Sequence, residues 1–346
     1  MIDIKKHVFP SGQPIIRAIN KLNQIEENLT LFILDDHERV VGTLTDGDFR
    51  RGLLKGHTMD MEVDRFMSTD FYYLRGEIDV VRIKQLKEKE IKLVPCLDEE
   101  KRILEIYDLS KLHSILPVHA VIMAGGRGER LRPLTDKKPK PLLPLGEHPM
   151  IYHTYRGLKK YGIRYITISI GYLGDQIKRY FSEIYDEGID FIEEQDPLGT
   201  IGALSLKHDF KSEYILVTNS DQFTNIDYED LFLNMLQNHS DLAVASVPYT
   251  VNIPYAIFEK DKDRIWSFQE KPSSTYYANA GIYIFKRELL KLIPPKQFFN
   301  ATDFIGLLLE QGCRVIDNII AGYWIDIGRM DDYLKAQEML RHIKYD

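Results

Sequence analysis

The sequence predicts an α/β protein in two parts: a mostly parallel sheet covered by helices over residues 118–346, preceded by a smaller α+β part over residues 1–115. Three observations carry this reading. The chain has 346 residues, more than one hydrophobic core comfortably serves. From Val118 onward, short apolar runs alternate with helix-period segments. The first third instead contains a weak internal repeat.

In the first part, Leu31-Phe32-Ile33-Leu34-Asp35 is answered by Val94-Pro95-Cys96-Leu97-Asp98, and Arg39-Val40-Val41 by Arg102-Ile103-Leu104, a constant offset of 63 residues from Leu34 to Leu97. Each copy reads as strand, polar turn, strand, helix, and each follows a helix-period segment, at 14–26 and at 79–87. Neither copy has enough apolar surface to stand alone, so the two are expected to pack as one domain.

In the second part, strands are expected at 118–123, 165–170, 189–192, 214–217, 242–247, 265–270 and 281–285, and helices at 151–161, 174–182, 228–238, 302–310 and 329–342. Such alternation implies a sheet whose ligands sit beyond the carboxyl ends of the strands, where strand order switches. Gly125-Gly126-Arg127-Gly128-Glu129-Arg130-Leu131-Arg132-Pro133-Leu134-Thr135 follows the first of these strands, and Lys138-Pro139-Lys140-Pro141 comes next. A glycine turn after a strand brings backbone N–H groups to an anion, and Arg130 and Lys140 add fixed positive charge. Residues 127–140 hold six basic and two acidic side chains in a chain of net charge −7. The turn is not a Walker loop, because no Gly-Lys-Ser/Thr opens a helix and Pro133 opposes one. Nor is it the dinucleotide fingerprint, since no acid ends a second strand about twenty residues on.

The glycine segment and the Pro-Lys-Pro-Leu-Leu-Pro at 139–144 closely resemble the signature of the sugar-1-phosphate nucleotidyltransferases, the NDP-sugar pyrophosphorylases. The resemblance runs from about Val118 to the C-terminal helix and implies a Rossmann-like nucleotidyltransferase domain. Further segments agree in order: Asp196-Pro197-Leu198-Gly199-Thr200-Ile201-Gly202, Leu216-Val217-Thr218-Asn219-Ser220-Asp221, Glu270-Lys271-Pro272, Asn279-Ala280-Gly281 and Trp324-Ile325-Asp326-Ile327-Gly328. Each alone has a plainer use: Asp221 as a helix cap, Lys271 as a solvated cation, Asp326 as a turn residue.

By that resemblance, Arg130, Lys140 and Lys271 are catalytic. Ala124, Gly125, Gly126, Gly128, Glu194, Gly199 and Thr200 bind the nucleotide, Glu270, Asn279 and Gly281 the sugar, and Asp221 and Asp326 hold Mg²⁺. Glu129 stands where the family usually has Thr, and its side chain either points outward or meets a base or metal. The reaction implied joins a nucleoside triphosphate to a sugar 1-phosphate and releases pyrophosphate. Its nucleophile is already ionised near neutral pH, so the demand is charge neutralisation and in-line positioning, with no general base.

Glu194 bears on the base. Guanine presents N1–H and N2–H₂ side by side, and a carboxylate accepts both, which favours GTP. The motif resembles mannose- and heptose-1-phosphate guanylyltransferases. With the first part fused ahead of it, the arrangement resembles the guanylyltransferases that make GDP-glucosamine for legionaminic-acid synthesis, so glucosamine 1-phosphate is the expected acceptor. Two other readings stand: a uridylyl- or thymidylyltransferase on glucose 1-phosphate, and a non-catalytic nucleotide sensor.

Val40-Val41-Gly42-Thr43-Leu44-Thr45-Asp46-Gly47-Asp48 resembles the strand-into-helix segment of a tandem CBS domain, over residues 1–115. That resemblance implies an adenine-nucleotide effector held by Thr45 and Asp48, and a homo-oligomer. The second copy has Asp108 and Lys111 at these positions. The competing use of Thr45 is as the cap of a helix beginning near Asp46.

Composition excludes several classes. Apolar content of 44% and charged content of 28% suit a soluble protein. Net acidity supplies no broad basic face for nucleic acid. No run is long and apolar enough for a bilayer, and the start Met1-Ile2-Asp3-Ile4-Lys5-Lys6 lacks an apolar signal core. Two cysteines far apart, Cys96 and Cys313, read as inert thiols of a reducing compartment, so a cytoplasmic location is expected.

Overall fold

Residues 2–76, 78–184 and 188–343 are described by the computed structural model. The chain divides into two units, Met1–Ile115 and Leu116–Asp346.

Unit 1 holds β1 (Val8–Pro10), α1 (Ile15–Leu22), β2 (Thr30–Leu34), β3 (Val40–Thr45), α2 (Asp46–Leu54), β4 (Leu74–Arg75), α3 (Val80–Glu88), β5 (Leu93–Leu97) and β6 (Ile103–Asp108). They form two three-stranded sheets of the same order, β1-β2-β3 and β4-β5-β6. The repeat extends to its irregularities: the antiparallel register shifts between Ile33 and Leu34 in one copy and between Cys96 and Leu97 in the other. Each turn is closed by an Asp–Arg pair, Asp35 with Arg39 at 2.7 Å and Asp98 with Arg102 at 3.2 Å. The two turns meet: the backbones of Arg39 and Arg102 pair as an isolated antiparallel bridge, and the Val40 N–H donates to the Lys101 carbonyl at 2.9 Å. Phe32, Val40, Leu93, Leu97 and Ile106 form one core drawn from both copies.

The copies differ after their last strand. The first continues into α2, where Thr45 and Asp48 make a capping box. The second forms only a turn, contrary to the expected helix. There Asp108 accepts from the Ser110 N–H at 3.0 Å, and the chain enters the next unit's first strand within ten residues. Without the Thr-x-x-Asp pair, the first-turn N–H groups lack their reciprocal cap.

Unit 2 contains β7 (Val118–Ala124), β8 (Pro144–Leu145), β9 (His148–Pro149), α4 (Met150–Lys160), β10 (Tyr165–Ile170), α5 (Gly174–Ser182), β11 (Ile189–Glu193), β12 (Tyr214–Asn219), β13 (Gln222–Thr224) and α6 (Tyr228–Gln237). It continues with β14 (Leu242–Asn252), β15 (Ile257–Asp261), β16 (Arg264–Gln269), β17 (Ser273–Lys286), α7 (Ala301–Glu310), β18 (Val315–Ile319), β19 (Trp324–Asp326) and α8 (Met330–His342). Seven strands make one sheet, ordered β11-β10-β7-β12-β17-β14-β18, in which only β17 runs antiparallel to its neighbours. The mostly parallel α/β reading therefore holds. Strand order switches at β7, whose successors β10 and β12 flank it on opposite sides. Val121, Val217, Phe285 and Phe304 are among the side chains sealing the sheet against α7.

Two sequence expectations change. The segment 265–270 is a strand, but it pairs with β15 in a separate hairpin and not in the main sheet. The strand expected at 281–285 starts at Ser273, because its antiparallel pairing with β14 continues past a register shift to Asn252↔Ser273. The result is a two-stranded arm beyond the sheet. Alternation along 248–252 and 273–277 is masked, since both faces of the arm are exposed.

Candidate active site

The glycine turn stands at the carboxyl end of β7, at the strand-order switch. Gly128 has a left-handed backbone (φ 63°), and a Cβ there would lie 2.8 Å from Lys140 Cβ, so only glycine lets the lysine segment approach this closely. Thr135 Oγ1 donates to the Gly128 carbonyl at 3.0 Å and pins the turn. Gly126 faces open space. Glu129 is exposed, opening a short 3₁₀ turn over Glu129–Leu131.

Lys140 is buried, at 9% exposure, and its ammonium pairs with Asp221. Asp221 follows β12 by two residues, where the Ser220 N–H is held by the Met123 carbonyl of β7 at 3.0 Å. Asp326 reaches the same place from far along the chain. Antiparallel pairing of β13 with β19 sets Gln222 opposite Asp326, and the Ile327 N–H donates to the Asp221 carbonyl at 3.0 Å. Leu131, Phe223, Ile325, Ile327 and Tyr333 form the apolar cluster beneath. Arg130 packs on Gly328, where a Cβ would lie 3.3 Å from its Nη2. Loss of hydration, and next the charge of Asp221, push the Asp326 carboxyl up from its usual range; Lys140 and Arg130 oppose this.

Glu194, directly after β11, is tied on both oxygens. Ser169 Oγ donates to Oε1, and the Leu198 N–H donates to Oε2 at 3.0 Å. A Cβ on Gly125 would lie 2.5 Å from Glu194 Oε1, and one on Gly171 would lie 2.9 Å from the Gly125 carbonyl. Gly125 thus sits between the carboxylate and the turn after β10, and Ala124 is buried at the end of β7. Gly199 (φ 82°) passes close to the Phe299 carbonyl, which a Cβ would approach to 2.6 Å. Thr200 Oγ1 accepts from the Ala301 N–H at 2.8 Å, so its side chain caps α7.

On the remaining side, Asn279 Oδ1 accepts from the Gly281 N–H at 2.8 Å and its Nδ2 donates to Tyr283 Oη at 2.9 Å. A Cβ on Gly281 (φ 71°) would meet Asn219 Nδ2 at 2.8 Å, which places this turn against the end of β12. Glu270 and Lys271 are exposed at the other end of the arm, beyond the ladder from Ser246↔Asn279 to Asn252↔Ser273. Ser273 to Gly281 spans on the order of 25 Å of extended strand. The structure therefore gathers Arg130, Lys140, Asp221 and Asp326, sets Glu194 with Gly125, and leaves Glu270 and Lys271 on the arm.

In unit 1, Thr45 and Asp48 are occupied with each other. Asp48 Oδ2 accepts from the Thr45 N–H at 2.9 Å and from its hydroxyl at 2.6 Å, while Arg51 pairs with Oδ1 at 2.6 Å.

Two contributors carry no sequence signal. Ser169 lies in an ordinary apolar strand. Gln222, buried, donates to the Ala280 carbonyl and accepts from Thr218 at 3.3 Å, holding the Asn279–Gly281 turn. A cavity of about 680 Å³ along edge strand β11 shares Asp196 and Leu198 with the 196–202 segment but includes none of Arg130, Lys140, Asp221 or Asp326. Among the described residues, no cluster of three or more His, Cys, Asp or Glu suits a metal by itself, and no helix is long and apolar enough to cross a membrane.

A mostly parallel sheet with a glycine turn, a lysine, an arginine and two aspartates near its carboxyl rim offers the charges that phosphate handling in nucleotide transfer requires. The chain belongs to the nucleotidyl transferase family, whose model matches residues 119–342. It is similar to the D-glycero-alpha-D-manno-heptose 1-phosphate guanylyltransferase of Aneurinibacillus thermoaerophilus, 31% identical over 231 residues, 65% of this chain and 99% of that one. It is also similar to the mannose-1-phosphate guanylyltransferase catalytic subunit beta of Danio rerio, 30% identical over 231 residues. That alignment covers 64% of this chain and 64% of the zebrafish protein, so the chain spans about two thirds of that relative's length. Among solved structures, HddC from Yersinia pseudotuberculosis complexed with GMP-PN is 27% identical with a TM-score of 0.50, covering 64% of this chain and 99% of that chain.

Proposed function

We propose that this protein transfers a guanylyl group from GTP to a sugar 1-phosphate, with glucosamine 1-phosphate as the acceptor and GDP-sugar and pyrophosphate as products. The single observation that carries the reading is the convergence of Lys140, Arg130, Asp221 and Asp326 beside the glycine turn. The similarity to two guanylyltransferases of sugar 1-phosphates supports the choice of base and of acceptor class.

In the step itself, an oxygen of the sugar phosphate attacks the α-phosphorus of GTP. One P–O bond forms, the bond from Pα to the bridging oxygen breaks, and pyrophosphate leaves with its electrons; no proton need move. The N–H groups of the 125–128 turn and Arg130 hold the β- and γ-phosphates. Lys140 leaves Asp221 for the α-phosphate, where negative charge builds. Two carboxylates set side by side, one of them resisting ionisation, suit a hard divalent cation that takes few protein oxygens and completes its shell with phosphate and water. Asp221 and Asp326 would hold Mg²⁺, which supplies charge neutralisation between the two anionic reactants.

Unit 1 is assigned as a tandem CBS module, supported by its paired sheets and shared core, with an adenine nucleotide competing for Thr45 and Asp48 and with self-association of the chain through this unit. The two unpaired cysteines, Cys96 and Cys313, suit a cytoplasmic setting. The test is a matrix of four nucleoside triphosphates against sugar 1-phosphates, read by mass spectrometry and pyrophosphate release. Mg²⁺-dependent release with GTP and glucosamine 1-phosphate is expected; no release with any pair would leave only a nucleotide-binding protein.

A further inference from the structure

The Ser169 hydroxyl is fully buried on β10, and it donates to Glu194 Oε1. Nothing in the reaction needs a serine there. Its cross-strand neighbours on the same face of the sheet are Met123 of β7 and the buried Ile192 of β11, so a hydroxyl at this position needs a purpose. The second oxygen of Glu194 is held by the Leu198 N–H, and its own N–H by the Ile170 carbonyl at 2.8 Å. The carboxylate is thereby fixed in the crevice against Gly125, at the carboxyl ends of three adjacent strands, β11, β10 and β7.

A carboxylate offers about four lone-pair sites. Ser169 and Leu198 use two, leaving two acceptor directions, the number that the adjacent N1–H and N2–H₂ of guanine require. Uracil and thymine present one N–H flanked by two carbonyl oxygens, so a carboxylate locked in this orientation repels them. A mobile carboxylate would turn away and lose much of that discrimination, because an unrestrained group relaxes toward water.

We propose that Ser169 is a positioning residue that sets base specificity by locking Glu194 in the orientation that accepts guanine and rejects pyrimidines. The proposal rests on the guanylyl-transfer reading and deepens it. Ser169 acts through Glu194 and touches no reacting atom, so its removal weakens recognition without disabling the phosphate machinery.

The test is a double-mutant cycle of Ser169→Ala and Glu194→Gln in the full chain, with KM and kcat measured for GTP and UTP and the melting temperature as a folding control. Ser169→Ala is expected to raise KM for GTP about tenfold, to change kcat less than twofold, and to lower the GTP/UTP preference by the same tenfold. In the Glu194→Gln background it should add little, since its partner's charge is gone. Ser169→Thr, which keeps the hydroxyl, should retain the preference if it folds. A purely structural serine would lower kcat for GTP and UTP alike, leave their ratio unmoved and add fully to Glu194→Gln; that outcome overturns the proposal. If the chain turns over no substrate, calorimetric binding of GMP against UMP to the same variants reads the lock independently. Equal loss for both nucleotides would again reject it.

Discussion

The ammonium of Lys140 and the carboxylate of Asp221, 81 residues apart in the chain, form an ion pair beside the glycine turn. The pair holds in one place the cation assigned to the α-phosphate and a carboxylate assigned to the metal. It keeps two groups of opposite charge satisfied until a substrate with both phosphate and divalent cation can replace each partner.

Lys140→Ala should lower kcat by roughly a hundredfold or more, the cost seen when one preorganised charge stabiliser is removed. Binding of GTP should suffer less, because Arg130 and the turn amides remain. Steady-state pyrophosphate release measures both; turnover within threefold of the parent would remove Lys140 from the reaction.

Asp221→Asn and Asp326→Asn should each raise the Mg²⁺ concentration needed for half-maximal rate and lower the maximum. Asp221→Asn also frees Lys140, so it should show the larger loss of metal response. A Mg²⁺ titration at fixed GTP compares them, and unchanged curves would place the cation elsewhere.

Glu194→Gln should cost roughly 1–3 kcal/mol of GTP selectivity, read as kcat/KM against UTP. Gly125→Ala should act on the same property from the other side, since its Cβ would lie 2.5 Å from Glu194 Oε1 and must push the carboxylate aside. Two variants just past the ends of different strands that shift the same ratio would identify the base side of the crevice; a loss equal for all triphosphates would not.

His119 gives a pH prediction for stability. It is buried on β7; its Nδ1 accepts from the Lys211 N–H at 3.1 Å, so its Nε2 carries the proton toward Thr167 Oγ1 at 2.7 Å. Burial, and next the charge of Lys207, lower its pKa from 6.5 to about 4. Between those values the unfolded chain binds the proton and the native one does not. Stability is therefore full above pH 6.5 and falls with acidification toward pH 4, by on the order of 3 kcal/mol. Urea midpoints for the parent should drop more over this range than those of His119→Gln, whose amide can keep both hydrogen bonds. Parallel curves would mean that His119 titrates normally.

In unit 1, Thr45→Ala should cost about 1 kcal/mol by removing the cap of α2. If an adenine nucleotide uses the same pair, the variant should also abolish the heat of AMP or ATP binding to the full chain. A stability loss without any nucleotide heat in the parent would leave Thr45 as a cap alone.

Much of unit 2 was legible in the sequence. The glycine turn and the positive charge of Arg130 and Lys140 follow from residue type and spacing, whereas Asp221 and Asp326 were singled out by the family resemblance. Helices α4 to α8 follow apolar periodicity and were expected within a residue or two. The arm was not legible, because both its faces are exposed and its polar and apolar residues do not alternate. The missing helix of the second repeat had one sign in the sequence, Asp108 and Lys111 in place of the Thr-x-x-Asp cap, which the repeat-based expectation of a helix passed over.

By itself, the sequence determined the helices of unit 2 and the glycine turn with its cluster of positive charge, since these depend on backbone geometry and side chains within a few residues. Tertiary structure decided which groups meet: β13 pairing with β19 joins Asp221 to Asp326, the neighbouring ends of β10 and β11 give Glu194 its serine, and the long β14–β17 ladder carries Glu270 and Lys271 outward. Those meetings are set by strand pairing and shared cores between residues distant in the chain, and no local pattern records them.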